Sequence, residues 1–323
     1  MTKTTANINF RDKFFNLIQY QDVCYFQTHP ALLATLKHVM KQSILLFLII
    51  CFLANTTFGQ NPIPGQTGKQ TPFVLGLVDE IKSAVLEENR KLNIYLPEGY
   101  SPDTAATYPV IYLLDGSANE DFIHVVGIVQ FLTMIESMPK SIVVGIANVD
   151  RRRDFTFPAS IEQDKKKYPT TGSSANFMTF IEKELQPFIQ KKYKTNTVKT
   201  IIGQSLGGLF ATQVLLKKPD LFDNYIIVSP SLWWDNESLL TTAPTLTRKQ
   251  NAKNIHVYIS AGSEGKQMEN DVNHLVEILQ ARGKNNLQID FMPLPGENHL
   301  TILHNSVYKG FQMLYPKKND QKN

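Results

Sequence analysis

The chain has 323 residues, 42% hydrophobic and 19% charged, the balance of a globular protein long enough for one large α/β domain, which excludes disordered and fibrous classes. The formal charge is +4, but five Lys/Arg against two Asp/Glu lie before position 60. The remainder is near neutral, so the short lysine runs at 165–167 and 191–192 read as solvated faces rather than nucleic-acid contacts.

Residues 1–39 form an N-terminal extension to which no role attaches, and Met40, followed by Lys41, is an alternative start. Lys41, the apolar run from Ile44 to Ala54 and the small residues Thr57 and Gly59 predict a signal peptide over 40–59, cleaved after Gly59. That run of 11 residues falls short of the roughly 20 needed to span a bilayer. The expectation is export to the periplasm or the exterior, without stable membrane insertion after cleavage. Cys24 and Cys51 both precede the cleavage point, so a mature chain from Gln60 would have no disulfide, thiol nucleophile or thiolate metal site. Ile50 is bulky where a lipidation signal at Cys51 would want a small residue. A linker over 60–72, a domain over 73–316 and a polar tail over 317–323 complete the division.

From about residue 73, β-rich runs alternate with helical patterns, which predicts a mostly parallel sheet of about eight strands with helices on both faces. The strands fall at Arg90 to Leu96, Val110 to Leu114, Ile142 to Ala147, Val198 to Ile202, Tyr225 to Ser229, Ile255 to Ser260 and Leu287 to Met292, with an initial one near Val74 to Ile81. Ser173 or Ser174 caps a helix carrying Phe177, Phe180, Ile181, Leu185, Phe188 and Ile189 at helical spacing, with a kink or break expected at Pro187. A later helix runs from Asn270 to Arg282 and stops at Gly283.

Between the strand ending at Ile202 and a helix from Leu209 to Lys217 stands Gly203-Gln204-Ser205-Leu206-Gly207, a G-x-S-x-G sequence in strand–turn–helix context. A serine there is either a capping residue or a nucleophile on a sharp bend. The context favours the nucleophile, because the glycines clear the space that a strained, projecting serine needs. Gly208 adds room for close helix packing.

A serine hydroxyl needs a base, and the base a carboxylate to orient it. His299 lies on a Gly-containing loop just beyond the last strand and is the candidate base. His304 has helical neighbours, His256 lies in a strand, and His274 and His124 lie in helices, so structural roles fit these better. Glu264, directly after the strand ending at Ser260, is the candidate acid. Glu269 and Asp271 are alternatives that also suit the first turn of the next helix, and a dyad without an essential acid is a further option. The oxyanion requires two backbone N–H donors: one from Leu206 and one from the Asp115-Gly116-Ser117 turn, where the amide of Ser117 is favoured and Gly116 permits the turn. Trp233 and Trp234 are candidates for gripping an acyl or aryl group, with core packing the competing role.

These residues together resemble the esterase D-like, enterochelin-esterase-like branch of the α/β-hydrolase superfamily. The resemblance covers residues 75–315 and rests on Leu92 to Tyr100, Tyr108 to Gly116, Arg151 to Thr156, Gly203 to Gly208, Ser229 to Asp235 and Glu297 to His299, in that order. It implies an α/β-hydrolase fold, ester hydrolysis without metal or other cofactor, a nucleophile at Ser205 and a base at His299, with Arg151, Arg153 and Asp154 lining or supporting the substrate side. Where many relatives have His-Gly after the oxyanion-hole strand, this chain has Asp115-Gly116.

The expected function is therefore serine-dependent hydrolysis of a small-molecule or carbohydrate-linked ester. An acyltransferase would use the same residues, and a binding protein on a hydrolase fold is the non-catalytic alternative. No lysine adjoins the glycines as a Walker loop requires, and no His-Glu-x-x-His or carboxylate cluster favours metal hydrolysis.

Overall fold

The computed structural model describes residues 71–246, 253–281 and 286–316. The chain separates into two units, Met1–Pro72 and Phe73–Asn323, and every element below belongs to the second. The predicted signal peptide and polar tail, and Gly283, lie outside the described residues.

Eight strands, β1 (Leu77–Ser83), β2 (Glu88–Tyr95), β3 (Tyr108–Leu113), β4 (Ile142–Ile146), β5 (Thr195–Gln204), β6 (Asn224–Val228), β7 (Ile255–Gly262) and β8 (Leu287–Leu294), form one sheet in the order β1-β2-β4-β3-β5-β6-β7-β8. The β1/β2 and β2/β4 pairs are antiparallel, and all the others are parallel. Every residue of β3 and of β4 is buried, as expected where helices cover both faces of a parallel sheet. The edge strand β1 alternates exposed Lys82 and Glu80 with buried Ser83 and Ile81, a charged edge that discourages further pairing. Strand β3 begins two residues before the apolar run and includes Pro109; its register against β5 shifts between Tyr108 and Val110, where the proline has no N–H to give the ladder.

Consecutive strand residues supply the two halves of the core. Ile111, Ile202 and Ile226 face α1 (Phe122–Met134) and α9 (Ile302–Leu314). Val110, Ile201 and Ile227 face the remaining helices: α2 (Arg151–Phe155), α4 (Ser174–Phe180), α5 (Gln186–Lys192), α6 (Leu206–Lys217), α7 (Trp234–Leu246) and α8 (Lys266–Ala281). A short exposed helix, α3 (Glu162–Lys167), carries the 165–167 lysines. The expected disruption at Pro187 takes a softer form. The chain stays helical from Ser174 to Lys192 through a π turn at Ile181–Leu185, in which Gln186 N–H reaches back to Ile181 O. The widened turn moves carbonyls away from the proline ring, a common way of absorbing a misfit inside a helix. Among the described residues, no helix is long and apolar enough to cross a membrane.

Candidate active site

Strand β5 hands the chain to α6 at Ser205, which has φ 58 and ψ −120, a strained combination for a residue with a Cβ. Its backbone is held on both sides: the N–H bonds Val228 O at 3.1 Å, and the carbonyl accepts from Ser231 N–H at 3.0 Å. A Cβ on Gly203 would stand 2.4 Å from Gly207 O, and one on Gly208 would stand 3.0 Å from Pro230 Cα and Val228 O. Gly207 differs from expectation, since its Cβ would meet nothing nearer than Asp115 Oδ2 at 3.4 Å. The helix starts at Leu206 rather than Leu209, so the N–H of Leu206 is a first-turn donor without an intrahelical partner.

The loops after β7 and β8 bring Glu264 to His299. Glu264 Oε2 lies 2.6 Å from His299 Nδ1, with the Glu264 side chain only 3% exposed and that of His299 39%. The other oxygen, Oε1, accepts from Gly262 N–H at 3.2 Å and from the Ser229 hydroxyl. Ser263 N–H bonds Glu297 O at 2.8 Å, and the two loops can approach because a Cβ on Gly262 would stand 2.6 Å from that same oxygen. The Gln204 side-chain amide donates to His299 O at 2.5 Å, tying the imidazole loop to the residue before Ser205. Among the described residues the Ser205 hydroxyl makes its hydrogen bond with Ser231 Oγ, at 3.2 Å, and no Ser205–His299 bond is formed. Such bonds often tighten only when substrate binds.

The other candidates sit elsewhere. Glu269, in the first turn of α8, reaches back to accept the N–H groups of Glu264 and Gly265 at 3.2 and 3.3 Å, as the carboxylate of a capping box does. Asp271 is buried on α8, and burial first, then the nearby Glu237, push its carboxyl up to about 6. His256 meets Asp290 at 2.5 Å, and the rings of His124 and His304 stack edge-on at 6.0 Å. His274 lies on α8.

The turn expected to supply an oxyanion donor is built differently from its sequence reading. Asp115, not Gly116, has the left-handed backbone, φ 52. Gly116 is required for another reason: its Cβ would fall 2.4 Å from Gly145 Cα and Ile146 N. Its N–H is spent on Ile146 O at 3.0 Å, which removes it as an oxyanion donor. Ser117 N–H points to Glu120 Oε2 at 3.3 Å, a long bond to an exposed side chain. Asp115 is buried and gripped by Arg151, Nε to Oδ1 at 2.6 Å and Nη2 to Oδ2 at 2.8 Å, with Asn148 Nδ2 on Oδ1 at 2.7 Å. Arg151 Nη2 also reaches Gln204 O at 3.3 Å, so this arginine braces the turn at 115–117 against the elbow. Asp121, at the head of α1, has its carboxyl pushed up to about 7, by burial first and then by Asp115 and Glu120, against the opposing effect of Arg151.

Beside Ser205 is a cavity of about 220 Å³ bordered by Arg152, Thr156, Tyr168, Ser231 and both tryptophans. Trp233 is half-buried and so keeps part of its ring accessible there. Trp234 is 1% exposed, and its Nε1–H donates to Phe157 O at 3.0 Å; packing is its main role. Asp235, the next residue, ties this loop to the one carrying Ser160, accepting Ser160 N–H at 2.5 Å and Ser160 Oγ–H at 2.8 Å. Arg153 does not border the cavity. It pairs with Glu88 at 2.7 Å and Asp154 at 2.9 Å, and Asp154 in turn pairs with buried Arg90. The substrate contact expected of Arg153 therefore gives way to a brace between β2 and α2.

Arg151 borders the cavity as well, though its guanidinium is held by Asp115, and so does Arg152, which is absent from the sequence candidates. Arg152 is exposed, lies 5.0 Å over the Tyr168 ring, and has no carboxylate partner among the described residues. Three consecutive arginines on one helical turn point about 100° apart, so the sequence signals that they diverge without showing which one faces substrate. Ser231 has no role in the sequence reading, because a serine after Ser-Pro has no distinctive spacing to a serine that precedes it by 26 residues.

Comparison with known proteins follows the same outline. The family profile described as "Putative esterase" matches residues 83–308. Ferri-bacillibactin esterase BesA of Bacillus subtilis (strain 168) is 32% identical over 248 residues, 67% of this chain and 82% of the relative. Among solved structures, an IroE-like serine hydrolase from Shewanella oneidensis superposes with a TM-score of 0.69 at 29% identity, covering 74% of this chain and 80% of that one. The BES protein from Bacillus cereus gives 0.67 at 30% identity, covering 76% and 96%. With an eight-stranded hydrolase sheet and a family match over most of its described length, this chain belongs to that esterase family and is a carboxylic ester hydrolase of the α/β-hydrolase fold.

Proposed function

We propose that the chain hydrolyses its ester through an acyl-enzyme on Ser205, and that its substrates are siderophore esters carrying negative charge. The observation that supports the mechanism best is the 2.6 Å Glu264–His299 pair, delivered by two neighbouring strand ends beside a serine in a strained elbow. Glu264 fixes Nδ1 as the protonated nitrogen, which leaves Nε2 to take the Ser205 proton. Ser205 Oγ adds to the ester carbonyl carbon, and the N–H groups of Leu206 and Ser117 stabilise the oxyanion once the exposed Glu120 side chain turns away from Ser117. The imidazolium gives its proton to the departing alcohol. Water then adds to the acyl carbon, and free acid and Ser205 are released by the same relay.

The substrate class draws on the relatives, named for ferri-bacillibactin and enterobactin, and on Arg152, which borders the cavity and has no carboxylate partner among the described residues. Export to the periplasm or exterior, the expectation from residues 40–59, would place the enzyme where secreted siderophores return. The test combines a fluorophosphonate probe, peptide mass spectrometry and the variants Ser205→Ala and His299→Ala. Labelling at Ser205 that is lost in both variants, with hydrolysis of a ferric catecholate trilactone faster than of a neutral aryl ester, is the expected result. A folded protein that stays unlabelled would sink the mechanism, and a preference for the neutral ester would sink the substrate class.

A further inference from the structure

Ser231 is 2% exposed, and its hydroxyl lies 3.2 Å from Ser205 Oγ, although the acid–base relay has no need of it. The loop that carries it is fixed at each residue. Ser229 is fully buried with φ 42, a left-handed conformation that persists only when its surroundings enforce it. Its N–H bonds Ser260 O at 2.8 Å, and its hydroxyl donates to Glu264. Pro230 packs where a Cβ on Gly208 would come within 3.0 Å. Ser231 N–H donates to Ser205 O at 3.0 Å, and Ser231 O accepts from Trp234 N–H at 3.2 Å. Three residues thus run from the carboxylate that orients His299 to the nucleophile, and they seat a hydroxyl on the reacting oxygen.

A hydrogen bond at Ser205 Oγ has opposite effects in the two halves of the reaction. During attack it competes with His299 for the proton or occupies a lone pair. When the acyl-enzyme breaks down, Oγ is the leaving atom and negative charge builds on it, so a donor there lowers the barrier. We propose that Ser231 is a catalytic residue of deacylation, an inference that rests on Ser205 being the nucleophile. Water oxygen adds to the acyl carbon while His299 takes the water proton. The acyl carbon–Oγ bond then breaks with its electron pair going to Oγ. Ser231 donates a hydrogen bond to Oγ while the imidazolium returns the proton to it, and the carboxylic acid departs.

Stopped-flow kinetics with an aryl ester separates the two steps, because the burst reports acylation and the steady state reports deacylation. Ser231→Ala should keep fluorophosphonate labelling within about two-fold of wild type while deacylation slows about ten-fold, the factor that one net hydrogen bond supplies. Ser231→Thr, which retains a hydroxyl, should restore deacylation. Unchanged deacylation in Ser231→Ala, or an equal fall in both steps accompanied by a lower melting temperature, would overturn the proposal. Wild-type protein unlabelled at Ser205 would overturn the nucleophile itself, an outcome distinct from either.

Discussion

Two glycines flank Ser205 at equal distances in sequence, yet they stand in unequal places. A Cβ on Gly203 would press 2.4 Å from a backbone carbonyl, whereas on Gly207 its nearest neighbour is a carboxylate oxygen at 3.4 Å, ordinary contact. Gly203→Ala should therefore cost about 1–3 kcal/mol of stability, the usual cost of overpacking, and slow Ser205 labelling by distorting the elbow. Gly207→Ala should fold with a near wild-type urea midpoint and remain labelled. Measured midpoints in the reverse order would show that the elbow is not packed as described. The pentapeptide cannot express this difference, because the pattern G-x-S-x-G treats its glycines as equivalent. What separates them is the Gly207 carbonyl turning toward β5, a contact that exists only after strand and helix have packed. Asp115 and Gly116 make the same point: the sequence assigns the turn to the glycine, but the aspartate takes the positive φ, because Arg151 and Asn148 hold its side chain in place.

At the scale of the element, the interior strands were legible because strands buried on both faces must be apolar runs between turn signals. Their ends moved by one to three residues where polar positions still pair, as Thr195 does with Tyr108. The partners of the arginines were illegible, since Glu88 and Asp115 lie 65 and 36 residues from Arg153 and Arg151. The head of α1 shows how such distant charges meet. Asp121 begins the helix beside Asp115 and Glu120, and burial with these two carboxylates raises it from 3.8 to about 7. The folded chain thus holds the Asp121 proton more tightly than the unfolded chain does. This contribution to stability is fully present below the unfolded value and is lost as pH rises through about 7. Asp121→Asn abolishes the titration, so the variant should gain stability relative to wild type between about pH 4 and about pH 8. Asp271, raised in the same direction, is present in both proteins and cancels from the difference. Urea midpoints across that range are the measurement, and parallel profiles for the two proteins would contradict the raised carboxyl.

For the molecule as a whole, the sheet places Asp115, Ser205, Ser229, Glu264 and His299 at the same, carboxyl-terminal edge of β3, β5, β6, β7 and β8, the position where open α/β sheets gather their ligand-binding loops. At that edge most charge is already neutralised in place: Arg151 by Asp115, and Arg153 with Arg90 by Glu88 and Asp154. Arg152 has no such partner among the described residues and stands exposed on the rim of the 220 Å³ cavity. An exposed cation acting on a substrate anion through solvent is worth about 1 kcal/mol, roughly five-fold in binding. Arg152→Ala should accordingly raise KM about five-fold for a multiply anionic ester and leave a neutral aryl ester and the rate of Ser205 labelling unchanged. Salt should reduce the wild-type preference for the anionic ester, because screening acts on exposed charges, and should have less effect on the variant. Steady-state kinetics with both esters at low and high ionic strength would decide the matter. An equal loss with both substrates would mean that Arg152 supports the cavity wall through its stacking on Tyr168, and that the anion preference must come from another part of the site.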